Sequence, residues 1–164
     1  MTRLRVVFLM SVIASTLSCV TPARSTRLQL EVRVSPDAND DRPVPVDVVF
    51  VWDKQMAGKL GALTAKDWFD KKTALRHDDP NERAFTVRDW EWVPGQQVPD
   101  IDLAVRPAAR QWLRAIFVFA NYRTEGPHRV RITPGAATLA LLKDDLTTET
   151  IGPPRKAPLA AREH

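Results

Sequence analysis

The only cysteine of the chain, Cys19, is the residue best suited to covalent attachment, because a lone thiol cannot form a disulfide within the chain. It follows a mostly apolar run from Val6 to Leu17, and Arg3 and Arg5 precede that run. A positive start, an apolar stretch and small residues before a cleavage point form the three-part layout of a secretory signal. The run is well short of the roughly 20 residues that cross a bilayer as a helix. We therefore expect a signal peptide here and no membrane-spanning anchor.

The tetrapeptide TLSC that ends at Cys19 resembles the lipobox of bacterial lipoprotein signals. In such proteins diacylglycerol is attached to the thiol, and cleavage then leaves the cysteine as the new amino terminus. The resemblance implies a lipoprotein signal peptide over residues 1–18, lipidation at Cys19 and a tether over residues 19–26. Val20 stands where an aspartate would mark retention in the inner membrane, so sorting to the outer membrane is implied. An ordinary signal peptide cut nearby is the alternative.

The histidines and paired carboxylates form none of the familiar catalytic patterns. His77 and His128 lie in apparent loops, where we expect them at the surface. Asp100 and Asp102 would share one face of a strand, as some acid–base pairs do, but the same spacing is typical of a solvated face. The sequence contains no Gly-x-Ser-x-Gly elbow, His-Glu-x-x-His helix, Cys-x-x-Cys pair or glycine-rich phosphate loop. We expect no enzymatic activity and no cofactor.

A polar stretch begins like a calcium-binding loop. Asp37, Asn39 and Asp41 alternate as the first ligands of such a loop do. Arg42 and Val48 then occupy the places that require a glycine and a bidentate glutamate. We therefore expect a solvated turn and no metal site.

The basic residues are concentrated at the ends of the chain. Five of the 24 Lys and Arg but one of the 20 Asp and Glu lie in residues 1–18 or 153–164, so residues 19–152 carry 19 of each sign. Nucleic-acid binding needs a basic stripe on a folded surface, so a balanced body removes its main compositional support, and we expect no nucleic-acid partner. Residues 153–164 are rich in proline and alanine without an apolar period, which predicts a disordered basic tail.

Strand-like patterns dominate the rest of the chain. Residues 27–34 alternate apolar and polar side chains without error, as a half-buried strand does. A variant of the helix capping box, with Thr64 three residues before Asp67, indicates one short helix between the second and third strands. The pattern predicts an all-β fold, an antiparallel β-sandwich with a short helical insert over residues 27–152. Further strand signals lie at residues 44–52, 84–93, 101–105, 112–122, 129–133 and 138–143.

The third predicted strand changes its apolar phase. Phe85 and Val87 occupy one phase, and Trp90 and Trp92 occupy the other. A bulge near Arg88 would allow all four side chains to face one core. Tryptophans in strand-like runs are expected to fill the core.

The order of these features resembles that of the TssJ lipoproteins of type VI secretion. An alternating strand is followed by the polar loop SPDANDDRP, the strand entry RPVPVDVVFVW, a helix and the late strand pair LRAIFVFANYRTEGPHRVRI. The resemblance covers about residues 27–142 and implies a transthyretin-like β-sandwich. The positions that fit the family pattern are Arg42, Pro43, Pro45, Val46, Phe119, Ala120 and Arg123.

The resemblance also implies a partner. Members of the family are anchored by lipid at the periplasmic face of the outer membrane and bind the periplasmic domain of the inner-membrane subunit TssM through the loop between the first two strands. The alternative is a periplasmic lipoprotein unrelated to secretion that binds a small ligand or carbohydrate, with Trp68 or Trp92 exposed on a concave surface near Asp100 and Asp102. The contact loop carried over to this chain is residues 35–43, with Asp37, Asn39, Asp40, Asp41, Arg42 and Pro43 as contact residues.

Overall fold

The computed structural model describes residues 25–108 and 110–151, which form two β-sheets and a helical layer. The predicted signal peptide, nearly all of the predicted tether and the predicted basic tail lie outside the described residues. In chain order the elements are β1 (Thr26–Val34), β2 (Val44–Val51), α1 (Lys54–Ala62), α2 (Ala65–Asp78), β3 (Phe85–Trp92), β4 (Ile101–Val105), β5 (Ala115–Ala120), β6 (Arg129–Ile132), β7 (Gly135–Leu141) and β8 (Leu146–Ile151).

The eight strands form the predicted β-sandwich. The first sheet has the order β4-β1-β7-β8, and the second has the order β3-β2-β5-β6. All neighbouring strands are antiparallel except β1 and β7, which run parallel. Because β1 and β2 belong to different sheets, residues 35–43 cross from one sheet to the other at one end of the sandwich.

The main core lies between the two sheets. Leu28, Leu30 and Val32 of β1 face it, as the alternation of that strand predicts. All six residues of β5 are buried, because one face packs on the first sheet and the other on the helices. β5 is therefore an inner strand that is covered on both faces.

The helical layer packs on the outer face of the second sheet. The indole ring of Trp68, on α2, stacks on Phe119 with ring centres 5.1 Å apart and meets Phe85 edge-on at 5.8 Å. The insert contains two helices where one was predicted. The predicted capping box is present, since the Thr64 side chain accepts the backbone N–H of Asp67 and the Asp67 carboxylate accepts that of Thr64.

The predicted bulge near Arg88 is wrong. The ladder between β2 and β3 continues without interruption along both strands. Phe85 and Val87 pack beneath the helices, whereas Trp90 and Trp92 pack toward the core between the sheets. The apolar phase changes because different faces of one regular strand are covered at its two ends.

Two strands begin three residues away from their predicted starts, and one strand was not predicted. β5 begins at Ala115, so Trp112 precedes it and has 65% of its surface exposed. β7 begins at Gly135, three residues earlier than predicted. The edge strand β8 has the sequence LTTETI, whose polar middle lacks the apolar alternation that marks a half-buried strand.

Candidate functional site

The predicted contact loop, residues 35–43, is bonded to neighbouring loops at its end of the sandwich. The backbone N–H of Gly95, in the β3–β4 connection, donates to the carbonyl oxygen of Ser35 at 3.1 Å. The backbone N–H of Asn39 donates to the carbonyl oxygen of Lys143, in the β7–β8 connection, at 2.8 Å. The loop is thus held on two sides by connections that are distant in sequence.

The tip of the loop has a left-handed backbone. Asn39, Asp40 and Asp41 have φ angles of 51°, 52° and 59°. This conformation costs an L-residue roughly 1–2 kcal/mol, and asparagine and aspartate are the side chains that adopt it most readily after glycine. Three such residues in succession persist only where the surrounding structure imposes them. The shape of the tip is therefore set by its contacts.

Asn39 supplies most of those contacts. Its side chain is only 5% exposed. The amide nitrogen Nδ2 donates to the carbonyl oxygen of Pro43 at 3.0 Å, and Oδ1 accepts the backbone N–H of Arg123 at 2.9 Å. Ala38 beside it is fully buried. Among the predicted contact residues, Asn39 thus holds the loop in shape and presents almost no surface of its own.

The other predicted contact residues are accessible. They carry three carboxylates and one guanidinium, so the surface of the loop is polar and mainly acidic. The hydroxyl of Ser35 donates to the carboxylate of Asp37. The exposed residues of the loop are Pro36, Asp37, Asp40, Asp41, Arg42 and Pro43.

Two exposed apolar side chains flank the loop. Val93 follows the end of β3 and Leu142 follows the end of β7, the strands that pair with β2 and β1 beside the loop. Within residues 25–108 and 110–151, Trp112 is the third large apolar side chain with comparable exposure. This end of the sandwich therefore presents a polar, mainly acidic loop with two exposed apolar side chains beside it.

Tyr122 supports the loops behind this surface. Its hydroxyl lies 3.0 Å from the carbonyl oxygen of Leu142 and 2.9 Å from that of Asp145. Burial, with a smaller contribution from the Asp145 carboxylate, raises the pKa of the Tyr122 hydroxyl far above its ordinary value of 10. The hydroxyl therefore remains a proton donor to the β7–β8 connection.

His128 is buried, which makes the prediction of a surface histidine wrong for this residue. Its Nε2 lies 2.8 Å from the carbonyl oxygen of Thr124, and its Nδ1 lies 3.0 Å from Oδ1 of Asp145. Both partners are acceptors, so both contacts are hydrogen bonds when both ring nitrogens carry a proton. A Cβ at Gly126 would lie 2.8 Å from the ring, so the connection requires a glycine there. His128 joins the β5–β6 and β7–β8 connections.

The residues proposed for a ligand-binding cleft are not brought together. Trp68 is fully buried beneath the helices, and Trp92 is buried between the sheets. Asp100 and Asp102 are exposed, with Ile101 turned toward the core between them. In the part of the chain that the structure describes, no three His, Cys, Asp or Glu side chains are grouped to hold a metal ion.

The predicted lipidation site, Cys19, lies outside the described residues. In the described part of the chain, neither helix is long and apolar enough to cross a bilayer.

Solved structures that share this fold include two type VI secretion lipoproteins. TssJ1, a type VI secretion lipoprotein of Pseudomonas aeruginosa, is 12% identical with a TM-score of 0.53, and the match covers 80% of this chain and all of that one. Lip of Serratia marcescens, a membrane-bound component of the type VI secretion system, is 15% identical with a TM-score of 0.54. That match covers 76% of this chain and 97% of Lip. No protein-family model matches the sequence, and no curated protein matches it.

A third solved structure is named for the C-terminal domain (869–1107) of the type VI secretion protein TssM from EAEC. The match has 16% identity and a TM-score of 0.52, and it covers 77% of this chain and 99% of that one. The aligned part of this chain is about half as long as the named range, so the matched chain is shorter than that range. At these identities the predicted likeness to TssJ lipoproteins is confirmed as a likeness of fold.

Proposed function

We propose that this chain is a TssJ-type lipoprotein of the type VI secretion membrane complex. Lipid on Cys19 anchors it to the periplasmic face of the outer membrane, and residues 35–43 bind the periplasmic domain of the inner-membrane subunit TssM. The observation that carries the proposal is the left-handed tip at Asn39, Asp40 and Asp41, which the rest of the domain holds in one shape. The shared fold of TssJ1 and Lip supports it.

A loop of fixed shape is suited to binding. Association costs free energy whenever a flexible segment becomes ordered, and a loop that is already held by its neighbours avoids most of that cost. Lipid attachment would add to this effect, because it confines the chain to a thin layer near the membrane and raises its effective concentration there.

The charge of the loop indicates what its partner offers. Asp37, Asp40 and Asp41 are exposed, and only Arg42 offsets them within the loop. We expect the matching surface of TssM to carry lysine or arginine side chains, which would accelerate association and fix its orientation. Val93 and Leu142 would supply apolar contact at the margin.

Affinity for the purified periplasmic domain of TssM from the same organism tests the loop. The double substitution Asp40→Asn/Asp41→Asn removes two charges, and asparagine retains the left-handed backbone. We expect it to weaken binding by about tenfold or more. The matched control, Asp100→Asn/Asp102→Asn, removes two exposed carboxylates elsewhere and should leave the affinity unchanged. Equal affinities for both variants would reject the loop assignment, and a wild-type chain that does not bind would reject TssM as the partner.

Fatty-acid labelling in cells tests the anchor. The wild-type chain should incorporate the label and fractionate with the outer membrane, and Cys19→Ala should lose both properties. An unlabelled wild-type chain would show that the segment is an ordinary signal peptide.

A further inference from the structure

The end of the sandwich opposite residues 35–43 contains an open cleft. β1 begins at this end and runs to the loop, whereas β2 runs back from the loop, so Ser25 and Trp52 lie together far from it. The cleft has a volume of about 440 Å³. The starts of β1 and β5 and the end of β6 form its walls.

This end of the molecule is strongly basic. Three arginines line the cleft, and its lining includes no aspartate or glutamate. Two more exposed arginines belong to the connection between β4 and β5. None of the five forms an ion pair with another residue of the described ranges. These five arginines and Trp112 are called the arginine face. The five arginines are Arg27, Arg106, Arg110, Arg114 and Arg131.

Among the described residues, the acidic side chains of the adjoining groove form no ion pair with this face. Asp53, Asp78 and Asp79 line that groove, which shares Gln111 with the cleft. The Asp53 carboxylate accepts the first-turn N–H of α1 at 2.7 Å. The Asp79 carboxylate accepts three backbone N–H groups at the start of β3. Two of the three carboxylates are thus committed to backbone donors.

Trp112 adds an aromatic side chain to the arginines. It is 65% exposed, the largest exposure of any large apolar side chain among the residues described. Nearby, the Arg131 guanidinium donates to the carbonyl oxygen of Arg114 at 3.0 Å, which brings two of the arginines together. Exposed tryptophan beside arginine is the composition that favours the headgroup layer of a bilayer, where an amphipathic ring and a cation are both stabilised.

The tether places this face near the membrane, a step that rests on the proposed lipidation of Cys19. Ser25 lies six residues after Cys19, and a fully extended chain of that length spans about 20 Å. Ser25 itself lines the cleft. β1 then carries the chain about 30 Å further to residues 35–43.

We propose that the arginine face binds the anionic phospholipid headgroups of the bilayer that carries the anchor. The sandwich then stands on the membrane with residues 35–43 directed away from it. Each cation within a Debye length of such a surface contributes a factor of about five to the partition coefficient. Lipid alone would hold the chain on the membrane, and the arginine face would orient it.

Vesicle binding without the lipid tests this proposal. The probe is the mature chain, residues 19–164, with Cys19→Ser, mixed with vesicles of equal parts phosphatidylglycerol and phosphatidylcholine. We expect sedimentation with these vesicles that weakens as salt is added, and none with pure phosphatidylcholine. Arg27→Gln/Arg114→Gln/Arg131→Gln should reduce the partition coefficient by about 100-fold. The matched control, Arg42→Gln/Arg123→Gln/Lys143→Gln, removes three exposed cations at the opposite end and should bind like the wild type.

Quenching of tryptophan fluorescence by brominated phosphatidylglycerol tests the arginine face with all of its arginines retained. Trp112 should be quenched in the bound chain, and Trp112→Phe should remove the quenched component. Failure of the wild-type chain to bind, equal loss in both triple variants, wild-type binding by the first variant, or quenching that persists without Trp112 would each overturn the proposal. Labelling of Cys19 and affinity for TssM are measured separately, so failure here is distinguishable from failure of the anchor or the partner.

Discussion

The side-chain oxygen of Asn39 accepts the backbone N–H of Arg123 at 2.9 Å, and the two residues are 84 positions apart in sequence. The same amide donates to the carbonyl oxygen of Pro43 at 3.0 Å. One buried side chain therefore joins the β1–β2 and β5–β6 connections. It also closes the left-handed turn that gives residues 35–43 their shape.

Replacing Asn39 with alanine should destabilise the domain by about 2–4 kcal/mol. The change leaves the Arg123 N–H without its acceptor and places an alanine in a left-handed backbone, and each effect costs about 1–2 kcal/mol. Asn39→Gly also removes the acceptor of the Arg123 N–H, but glycine adopts the left-handed backbone readily. It should therefore destabilise the domain less than Asn39→Ala does. Urea unfolding followed by tryptophan fluorescence measures both. Alanine and glycine variants of equal stability would show that the left-handed backbone is not strained here.

Tyr122 is the only tyrosine in the chain, so its ionisation can be followed by ultraviolet absorbance alone. Because burial raises its pKa in the folded state, the unfolded chain releases this proton first as the pH rises. Stability should be retained below the ordinary tyrosine pKa of 10 and fall as the pH rises above it. We expect tyrosinate to appear together with unfolding. Ionisation near pH 10 in a chain whose circular dichroism is still native would contradict the buried hydroxyl.

Sequence patterns predicted the sandwich because most strands bury one face or two in a regular way. The alternation of β1 and the continuous apolar run of β5 follow directly from which faces are covered. The polar edge strand β8 has no such pattern, so nothing local marks it. The phase change in β3 was mistaken for a bulge, because the pattern of one strand cannot reveal that helices cover part of its second face.

The candidate site was only partly predictable. The position and polarity of residues 35–43 could be predicted from the sequence, and their role in binding TssM stays a prediction. The burial of Asn39 and His128 could not be predicted from the sequence, because it depends on contacts with Arg123 and Asp145, which are remote in sequence. Polar residues in loops are mostly exposed, and the exceptions are determined by tertiary contacts.

The N-terminal cap of α2 should show a characteristic response to acid. Hydrogen bonds from Thr64, and to a lesser degree the interaction with Lys71, hold the pKa of the Asp67 carboxyl below its ordinary value of 3.8. The ionised carboxylate therefore stabilises the fold above that value, and the contribution is lost as the pH falls through the folded-state pKa. Thr64→Ala should raise the Asp67 pKa toward 3.8, as measured by carbon-13 NMR of the side chain. Thr73→Ala, an exposed threonine on the same helix, is the control and should not move it.

The helical layer is joined to the second sheet by a buried ionic contact. Asp47, in the middle of β2, is 1% exposed. Its carboxylate accepts a hydrogen bond from the indole N–H of Trp68 at 2.8 Å and another from the ammonium group of Lys72 at 3.0 Å. Asp47→Ala should destabilise the domain by about 3–5 kcal/mol, because it leaves a buried donor and a partly buried cation without their acceptor.

A graded series separates the two contacts of Asp47. Asp47→Asn retains an acceptor for the Trp68 indole but removes the charge opposite Lys72, so its loss of stability should lie between those of the wild type and the alanine variant. Asp70→Ala removes a carboxylate that pairs with Lys66 on the solvent-exposed side of the same helix, and it should leave the urea midpoint almost unchanged. If Asp47→Ala and Asp70→Ala had the same midpoint, the helices would be held on the sheet by apolar packing alone, chiefly by Trp68 against Phe119 and Phe85.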